Sequence, residues 1–235
     1  MLLCAAELSK GLIMFTGIVE SKGVIQTIEQ NGKGAHIVVR TKPEFLKDRV
    51  RLGDSIATNG VCLTATALHE DAYEADLSFE SVDLTCFKYY TVGTEVNLEL
   101  ACTPHTRLGG HIMQGHVDGV GTVLQNYRVD EALTIWIQAP EHLKRYIAMK
   151  GSIAVDGVSL TVNEVRDTDF RLTLIPHTVS EIATSFRPGS KVNLEVDVLA
   201  RYLERLMSAN AQDEKADGQK KEGLTLETLQ QNGFF

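Results

Sequence analysis

No apolar run in this chain approaches the roughly 18 residues that a membrane-spanning helix requires. Basic clusters are missing as well: 23 Lys and Arg stand against 31 Asp and Glu, a formal charge of −8. That balance argues against nucleic acid or an anionic membrane as the main partner. Cysteine is scarce. Cys4, Cys62, Cys86 and Cys102 lie far apart and form no C-x-x-C pair, which excludes a dense disulfide scaffold and a sequence-local zinc site. Reduced thiols and a cytoplasmic location are expected, with Cys86 and Cys102 as small buried hydrophobes. Neither a G-x-S-x-G elbow, a Walker loop nor a G-x-G-x-x-G after a strand occurs. The opening Met1-Leu2-Leu3-Cys4-Ala5-Ala6 is apolar, but short and without a preceding positive segment, so a secretory signal is not expected. Residues 1–13 are expected to be an extension outside the fold, which opens at Met14.

What the chain does have is an internal repeat. Ser55-Ile56-Ala57-Thr58-Asn59-Gly60-Val61-Cys62-Leu63-Thr64 returns as Ser152-Ile153-Ala154-Val155-Asp156-Gly157-Val158-Ser159-Leu160-Thr161, with seven of ten positions identical at an offset of 152 − 55 = 97. Gly93-Thr94-Glu95-Val96-Asn97-Leu98-Glu99 returns as Gly189-Ser190-Lys191-Val192-Asn193-Leu194-Glu195, offset 189 − 93 = 96. Gly17-Ile18-Val19-Glu20 aligns with Gly115-His116-Val117-Asp118, offset 115 − 17 = 98. Three blocks in one order at nearly constant spacing identify a duplicated domain.

The texture of each copy is β. Val, Ile and Thr alternate with polar residues in short runs, punctuated by Gly, Asn or Asp. Asn59-Gly60 and Asp156-Gly157 each predict a tight hairpin. Several short antiparallel strands in about 90 residues point to a small closed barrel, because closure removes unpaired edges. The fold class is therefore all-β: two tandem Greek-key-type barrels, over 14–110 and 111–198, then an amphipathic helix. Pro43 and Pro140 sit at equivalent first positions of short helical segments (140 − 43 = 97). Leu199, Tyr202, Leu203, Leu206 and Met207 form one helical stripe, predicting a helix over 199–207 that packs on its own barrel or joins subunits. Residues 208–235 are expected to be a polar tail.

Two constellations stand out. On the hairpin strands Cys62, Thr64 and Thr66 share one face, matched by Ser159, Thr161 and Asn163. Small hydroxyl and thiol groups there suit either a solvated surface or a wall that hydrogen-bonds a polar ring, and their retention in both copies favours the wall. The second is Gly109-Gly110-His111-Ile112-Met113-Gln114-Gly115-His116, where glycines suggest close backbone approach. A spacing of five would place the two His rings on opposite faces of a strand, and no third ligand is nearby, so no metal is assigned.

With these blocks in view, the chain resembles riboflavin synthase of the alpha-chain type over roughly residues 14–207. The resemblance is carried by Met14-Phe15-Thr16-Gly17-Ile18-Val19-Glu20, the two hairpin motifs and the Gly-Gly-His to Gly-His-Val-Asp segment. It implies a homotrimer that converts two molecules of 6,7-dimethyl-8-ribityllumazine into riboflavin and 5-amino-6-(D-ribitylamino)uracil without metal or cofactor. Two molecules would share each active site, formed between subunits, and neither nucleic acid nor membrane takes part. Such a dismutation needs two similar but unequal sites, and the copies differ at Cys62/Ser159, Asn59/Asp156, Ile18/His116 and Glu80/His177.

Carried over by position, the first pocket comprises Gly17, Ile18, Val19, Cys62, Leu63, Thr64, Asp76, Leu77, Ser78, Phe79, Glu80 and Ser81. The second comprises Gly115, His116, Val117, Lys150, Ser159, Leu160, Thr161, Thr173, Leu174, Ile175, Pro176, His177 and Thr178. Catalytic candidates are His116, Ser159, Cys62 and Asp197, with Phe15 as an aromatic lid. Cys62 reads equally as a wall residue, and Asp197 equally as a helix cap. The chain departs from the family pattern in its residues before Met14, in Ser81 where many members carry Thr, and in its longer tail ending Gly233-Phe234-Phe235. A non-catalytic lumazine- or flavin-binding relative is the competing reading. A flavin-dependent reductase would need a further nucleotide-binding domain.

Overall fold

The computed structural model describes residues 13–216. The extension expected at 1–13 and the tail expected at 208–235 thus fall almost wholly or largely outside the described residues. Two six-stranded antiparallel closed barrels make up the body of the protein. The first holds β1 (Ser21–Asn31), β2 (Gly34–Thr41), β3 (Ser55–Thr58), β4 (Val61–Leu68), β5 (Ala72–Leu77) and β6 (Glu95–Leu100). The second holds β7 (Gly119–Val129), β8 (Ala132–Gln138), β9 (Ser152–Val155), β10 (Val158–Arg166), β11 (Asp169–Leu174) and β12 (Lys191–Val196). Around the first barrel the order is β1-β2-β5-β4-β3-β6, and adding six to each label gives the second.

Even the irregularities repeat. The ladder slips between Ile25 and Thr27 and again between Val123 and Gln125, then between Ala65 and Ala67 and again between Val162 and Glu164. Each bulge adds bend and twist where a small barrel must close. Alternation of side chains fills the interiors: Ile25, Ile37, Tyr73 and Leu98 in one, Val123, Ile135, Phe170 and Leu194 in the other, are fully buried. Each such side chain contributes about 1.5–3 kcal/mol relative to exposure. Tyr73 brings a phenol into this core, and its oxygen meets Thr58 Oγ1 at 2.6 Å.

The predicted prolines open helical turns: α1 (Pro43–Leu46) in the first copy and a 3-10 turn (Glu141–Tyr146) in the second. Two further short helices, α2 (Phe79–Leu84) and α3 (Pro176–Glu181), follow β5 and β11. The C-terminal helix α4 (Val198–Ala216) outlasts the stripe that predicted it. Leu203, Leu206 and Met207 on it are exposed. No described helix is long and apolar enough to cross a membrane.

The barrels meet across a local two-fold relation. Both hairpin turns adopt left-handed backbone, with φ of 47° and 78° at Asn59 and Gly60, and 46° and 78° at Asp156 and Gly157. The turns touch: a Cβ on Gly60 would lie 2.7 Å from the Gly157 nitrogen, and one on Gly157 2.6 Å from the Gly60 nitrogen. Asn97 Nδ2 donates to the Asp156 carbonyl at 2.9 Å and Asn193 Nδ2 to the Asn59 carbonyl at 2.8 Å. Asn97 Oδ1 then accepts from the Ala183 N–H and Asn193 Oδ1 from the Cys86 N–H. These two asparagines, the repeated Val-Asn-Leu-Glu residues of the sequence, satisfy buried backbone groups of the opposite copy.

Candidate functional site

The glutamate of the same repeated motif governs the chain that leads into each barrel. Glu99 accepts from the Thr16 and Gly17 N–H groups at 2.6 and 2.9 Å. Glu195 does the same for Gln114 and Gly115 at 2.6 and 3.0 Å. Each lead segment is thereby anchored to its own barrel while lying on the other one. The Ser159 N–H donates to the Gly17 carbonyl at 2.9 Å, and the Cys62 N–H to the Gly115 carbonyl at 2.9 Å. Glycine is required at both crossings, since a Cβ at Gly17 would sit 2.5 Å from Ser159 Cβ and one at Gly115 2.6 Å from Cys62 Cβ. Val19 packs on the second core and Val117 on the first.

This crossing corrects the allocation of the pockets. Gly17, Ile18 and Val19 belong with Ser159 on the second barrel, whereas Gly115, His116 and Val117 belong with Cys62 on the first. A cleft of about 340 Å³ on the first barrel is lined by Cys62, Glu80, Ser81, Leu84, Gly115 and His116, among others. Position by position, Ser159, His177, Thr178, Gly17 and Ile18 are the matching set on the second.

Side-chain alternation sorts the remaining candidates. Thr64, Thr161, Asp76 and Thr173 point outward, as Cys62 and Ser159 do, but Leu63, Leu77, Leu160 and Leu174 point into the barrels and are at most 8% exposed. Those four leucines can offer a ligand only backbone. Ser78 caps α2, accepting from the Ser81 N–H at 3.1 Å. Phe79 and Ile175 are exposed beside the clefts, while Pro176 opens α3. Lys150 lies in the turn before β9, exposed, and its N–H donates to the Val162 carbonyl. Phe15 is not a lid: it is fully buried between the copies, its backbone paired with Met113, because the crossing segments cover it.

The chemistry is unequal between the cleft at Cys62 and the matching site at Ser159. In the second, Ser159 Oγ lies 2.7 Å from His111 Nδ1. Burial lowers the His111 pKa below its ordinary value, partly opposed by the Asp197 carboxylate. A neutral imidazole hydrogen-bonded to a hydroxyl is a proton-transfer pair. The Asp197 carboxylate is thus close enough to bias that ring electrostatically. In the sequence His111 stands within a glycine-rich segment, and His116 is the stronger candidate there. The available signal was Gly110, whose Cβ would meet the Thr16 carbonyl at 2.1 Å and Ser159 Oγ at 2.7 Å. In the first cleft His116 is exposed on the rim beside Cys62. Burial raises the Cys62 pKa, a hydrogen bond with Ser55 opposes it, and Glu195 adds to the rise, so Cys62 is held as a thiol. That favours its reading as a wall residue.

The lumazine binding domain family matches the chain twice, over residues 16–101 and 114–197. Riboflavin synthase from Photobacterium phosphoreum is 48% identical over 223 residues, covering 94% of this chain and all of that one. The chain belongs to the riboflavin synthase family. Riboflavin synthase from Bacillus subtilis (strain 168) is 37% identical over the same 94% of this chain and all of its own. Among solved structures, LumP complexed with 6,7-dimethyl-8-(1'-D-ribityl)lumazine superposes with a TM-score of 0.70 at 26% identity, covering 77% of this chain and 98% of LumP. LumP complexed with riboflavin gives the same TM-score at 27% identity and the same coverage. Each lumazine binding domain match therefore spans one whole barrel, and both crossings fall at or next to the starts of the matches.

Proposed function

We infer that this chain catalyses the dismutation of two 6,7-dimethyl-8-ribityllumazine molecules to riboflavin and 5-amino-6-(D-ribitylamino)uracil, a transferase reaction. The observation that carries this is the pair of reciprocal crossings, Gly17 on Ser159 and Gly115 on Cys62, alike in backbone and unlike in side chains. One molecule gives up four carbons and the other gains them, so atoms balance with no outside oxidant and no cofactor. Sites that are copies with altered side chains suit donor and acceptor roles played by one compound.

Holding two flat rings together can contribute about 7–11 kcal/mol through effective molarity alone. The remainder is proton transfer. A base must take a proton from the ring methyl of one lumazine, leaving a carbanion that attacks a ring carbon of the other. The Ser159–His111 pair supplies that base in the second cleft, with Asp197 stabilising the imidazolium that forms. His116 serves the first cleft, and the outward hydroxyls of Thr64 and Thr161 and the backbone at 62–64 and 159–161 hold the ring edges. Asp76 through Ser81 and Thr173 through Thr178 take the ribityl chains.

The exposed stripe on α4 supports association of subunits, and the trimer implied by the family resemblance would join a first cleft to a second cleft of a neighbour. The chain is organised as an extension (1–13), barrels at 14–110 and 111–198, an association helix and a tail, and works in the cytoplasm. LumP similarity supplies the alternative of a non-catalytic lumazine-binding protein.

One assay separates them. Purified protein is incubated with 6,7-dimethyl-8-ribityllumazine and EDTA, and products are followed by HPLC. Riboflavin and the pyrimidinedione in equal amounts are expected; tight binding without product would establish the alternative, and neither would overturn both.

A further inference from the structure

Above the first cleft, the outer face of its barrel carries a linked set of titratable side chains. His69 Nε2 lies 2.7 Å from Glu74 Oε1, Glu74 Oε2 lies 3.1 Å from His36 Nε2, and His36 Nδ1 lies 2.8 Å from Asp76 Oδ1. His36 on β2 pairs directly with Asp76 on β5. Continuing the Ala65 to Ala75 register places Thr64 beside Asp76 on the outward face, in one row with Cys62. The outward row thus runs from Asp76 by way of Thr64 to Cys62, which lines the cleft. Among the described residues no group of His, Cys, Asp and Glu could hold a metal ion, so it is read as a hydrogen-bonded relay.

The second barrel has a different support in the same place. Arg166 and Arg171 hold Glu164 at 2.7 and 3.1 Å, and Arg171 Nη1 reaches Thr173 Oγ1 at 3.4 Å. Thr173 stands where Asp76 stands (173 − 76 = 97). One wall thus ends in a carboxylate backed by histidine, the other in a hydroxyl backed by arginine.

We propose that His36 is a positioning residue that fixes Asp76 toward the ribityl hydroxyls of the ligand in the first cleft, so that its charge state sets the affinity of that cleft alone. The proposal rests on the reading of the clefts as ribityllumazine sites. An imidazolium donates from both ring nitrogens and serves Asp76 and Glu74 together. A neutral ring donates from one only, leaving the other carboxylate facing a lone pair. The hydrogen bond to Asp76 raises the His36 pKa above its ordinary value, burial opposes this, and Glu74 adds to the rise. Other charged groups on the packed elements are Lys22 and Glu29 on β1, with Glu29 directly opposite His36, and Glu80 and Asp83 on α2. His69 lies beyond Glu74, and Arg40 is on β2 itself. Acids predominate, which favours the charged ring. Affinity in the first cleft is accordingly full below the raised pKa and falls as pH rises through it, whereas Arg171 keeps its charge and gives the Thr173 position no such response.

The test is calorimetric titration of the full-length protein with riboflavin, which carries the ribityl chain and does not react, between pH 6 and 9. Of two classes of site, one should weaken about 5–10-fold on raising the pH through loss of the His36 charge, as expected for loss of one charge-assisted hydrogen bond near solvent, and the other should behave identically in wild type and His36→Gln. His36→Gln should make the sensitive class weak at every pH, and His36→Arg should restore its affinity and flatten the profile. Lumiflavin, lacking the ribityl chain, should show no such dependence. A wild-type pH profile in His36→Gln, or the same profile with lumiflavin, would overturn the proposal. Absence of riboflavin binding to the wild type would instead defeat the reading of the clefts, and the proposal with it.

Discussion

Asp156 provides a perturbation for which the chain contains its own control. Its carboxylate is buried at the meeting of the two hairpins, accepting from the Asn193 N–H at 2.7 Å and from the Thr184 hydroxyl at 3.0 Å. Burial pushes its pKa from 3.8 up to about 7, against those two hydrogen bonds. The folded state therefore holds a proton that the unfolded chain has lost, across a window of about three pH units. Stability from this group is full below about pH 4, declines at about 1.4 kcal/mol per pH unit up to about pH 7, and is level above. The total is about 4 kcal/mol. In the first copy the same position is Asn59, whose Oδ1 accepts from the Asn97 N–H and whose Nδ2 donates to the Tyr90 hydroxyl. Asp156→Asn can reproduce that pattern, with Thr184 turned to accept. Urea unfolding at fixed protein concentration should find the variant more stable than wild type at pH 8 by about 2–4 kcal/mol, and within about 1 kcal/mol of it at pH 4. The thermal midpoint at pH 8 should rise by about 5–10 °C. Burial also pushes the Glu195 pKa up to about 7, so part of the slope should remain in the variant. A variant less stable at pH 8, or a slope between about pH 4 and 7 as steep as that of the wild type, would refute the reasoning.

The touching turns predict that Gly60→Ala loses about 2–5 kcal/mol, from left-handed strain plus a backbone clash. Gly93→Ala, with φ of 90° and open space around it, should lose only about 1–2 kcal/mol, and equal losses in thermal melts would contradict the contact. Because Glu99 anchors the segment lying on the second barrel, Glu99→Ala should weaken flavin binding at one class of site while sparing the other; uniform weakening would count against the crossing. Ser159→Ala and His111→Gln should each lower kcat about 10²–10⁴-fold, and the double variant little further, if the two form one proton-transfer pair. Cys62→Ala should keep kcat within about tenfold of wild type if the thiol is a wall group, and a loss matching that of Ser159→Ala would restore a chemical role.

How much of this was legible in the sequence depended on how local the cause was. The Asn59-Gly60 and Asp156-Gly157 hairpins were readable because a left-handed turn demands those residue types on the spot, and both have the expected backbone. The duplication was readable from its three blocks, and with it the two tandem barrels. The purpose of the Val-Asn-Leu-Glu repeat was not, because Asn97 and Asn193 serve the opposite copy, and periodicity along one strand is silent about that. The same blindness put Gly17, Ile18 and Val19 in the wrong pocket. His111 was passed over since its positional counterpart, Ile13 (111 − 98 = 13), offered no second polar residue to compare. The length of α4 was underestimated because the apolar stripe stops at Met207, whereas the helix-forming run Ala209-Asn210-Ala211-Gln212-Asp213-Glu214-Lys215-Ala216 continues without one.

The crossed lead segments also say how such a molecule could have come about. A single copy on its own would possess a groove beside its hairpin and an arm shaped for somebody else's groove. Two identical copies would satisfy each other by exchanging arms, as in any swapped dimer. Joining them head to tail keeps every one of those contacts and turns an exchange between two chains into one within a single chain. Once that is done, the two halves are free to diverge, and a symmetric binder acquires a left and a right hand.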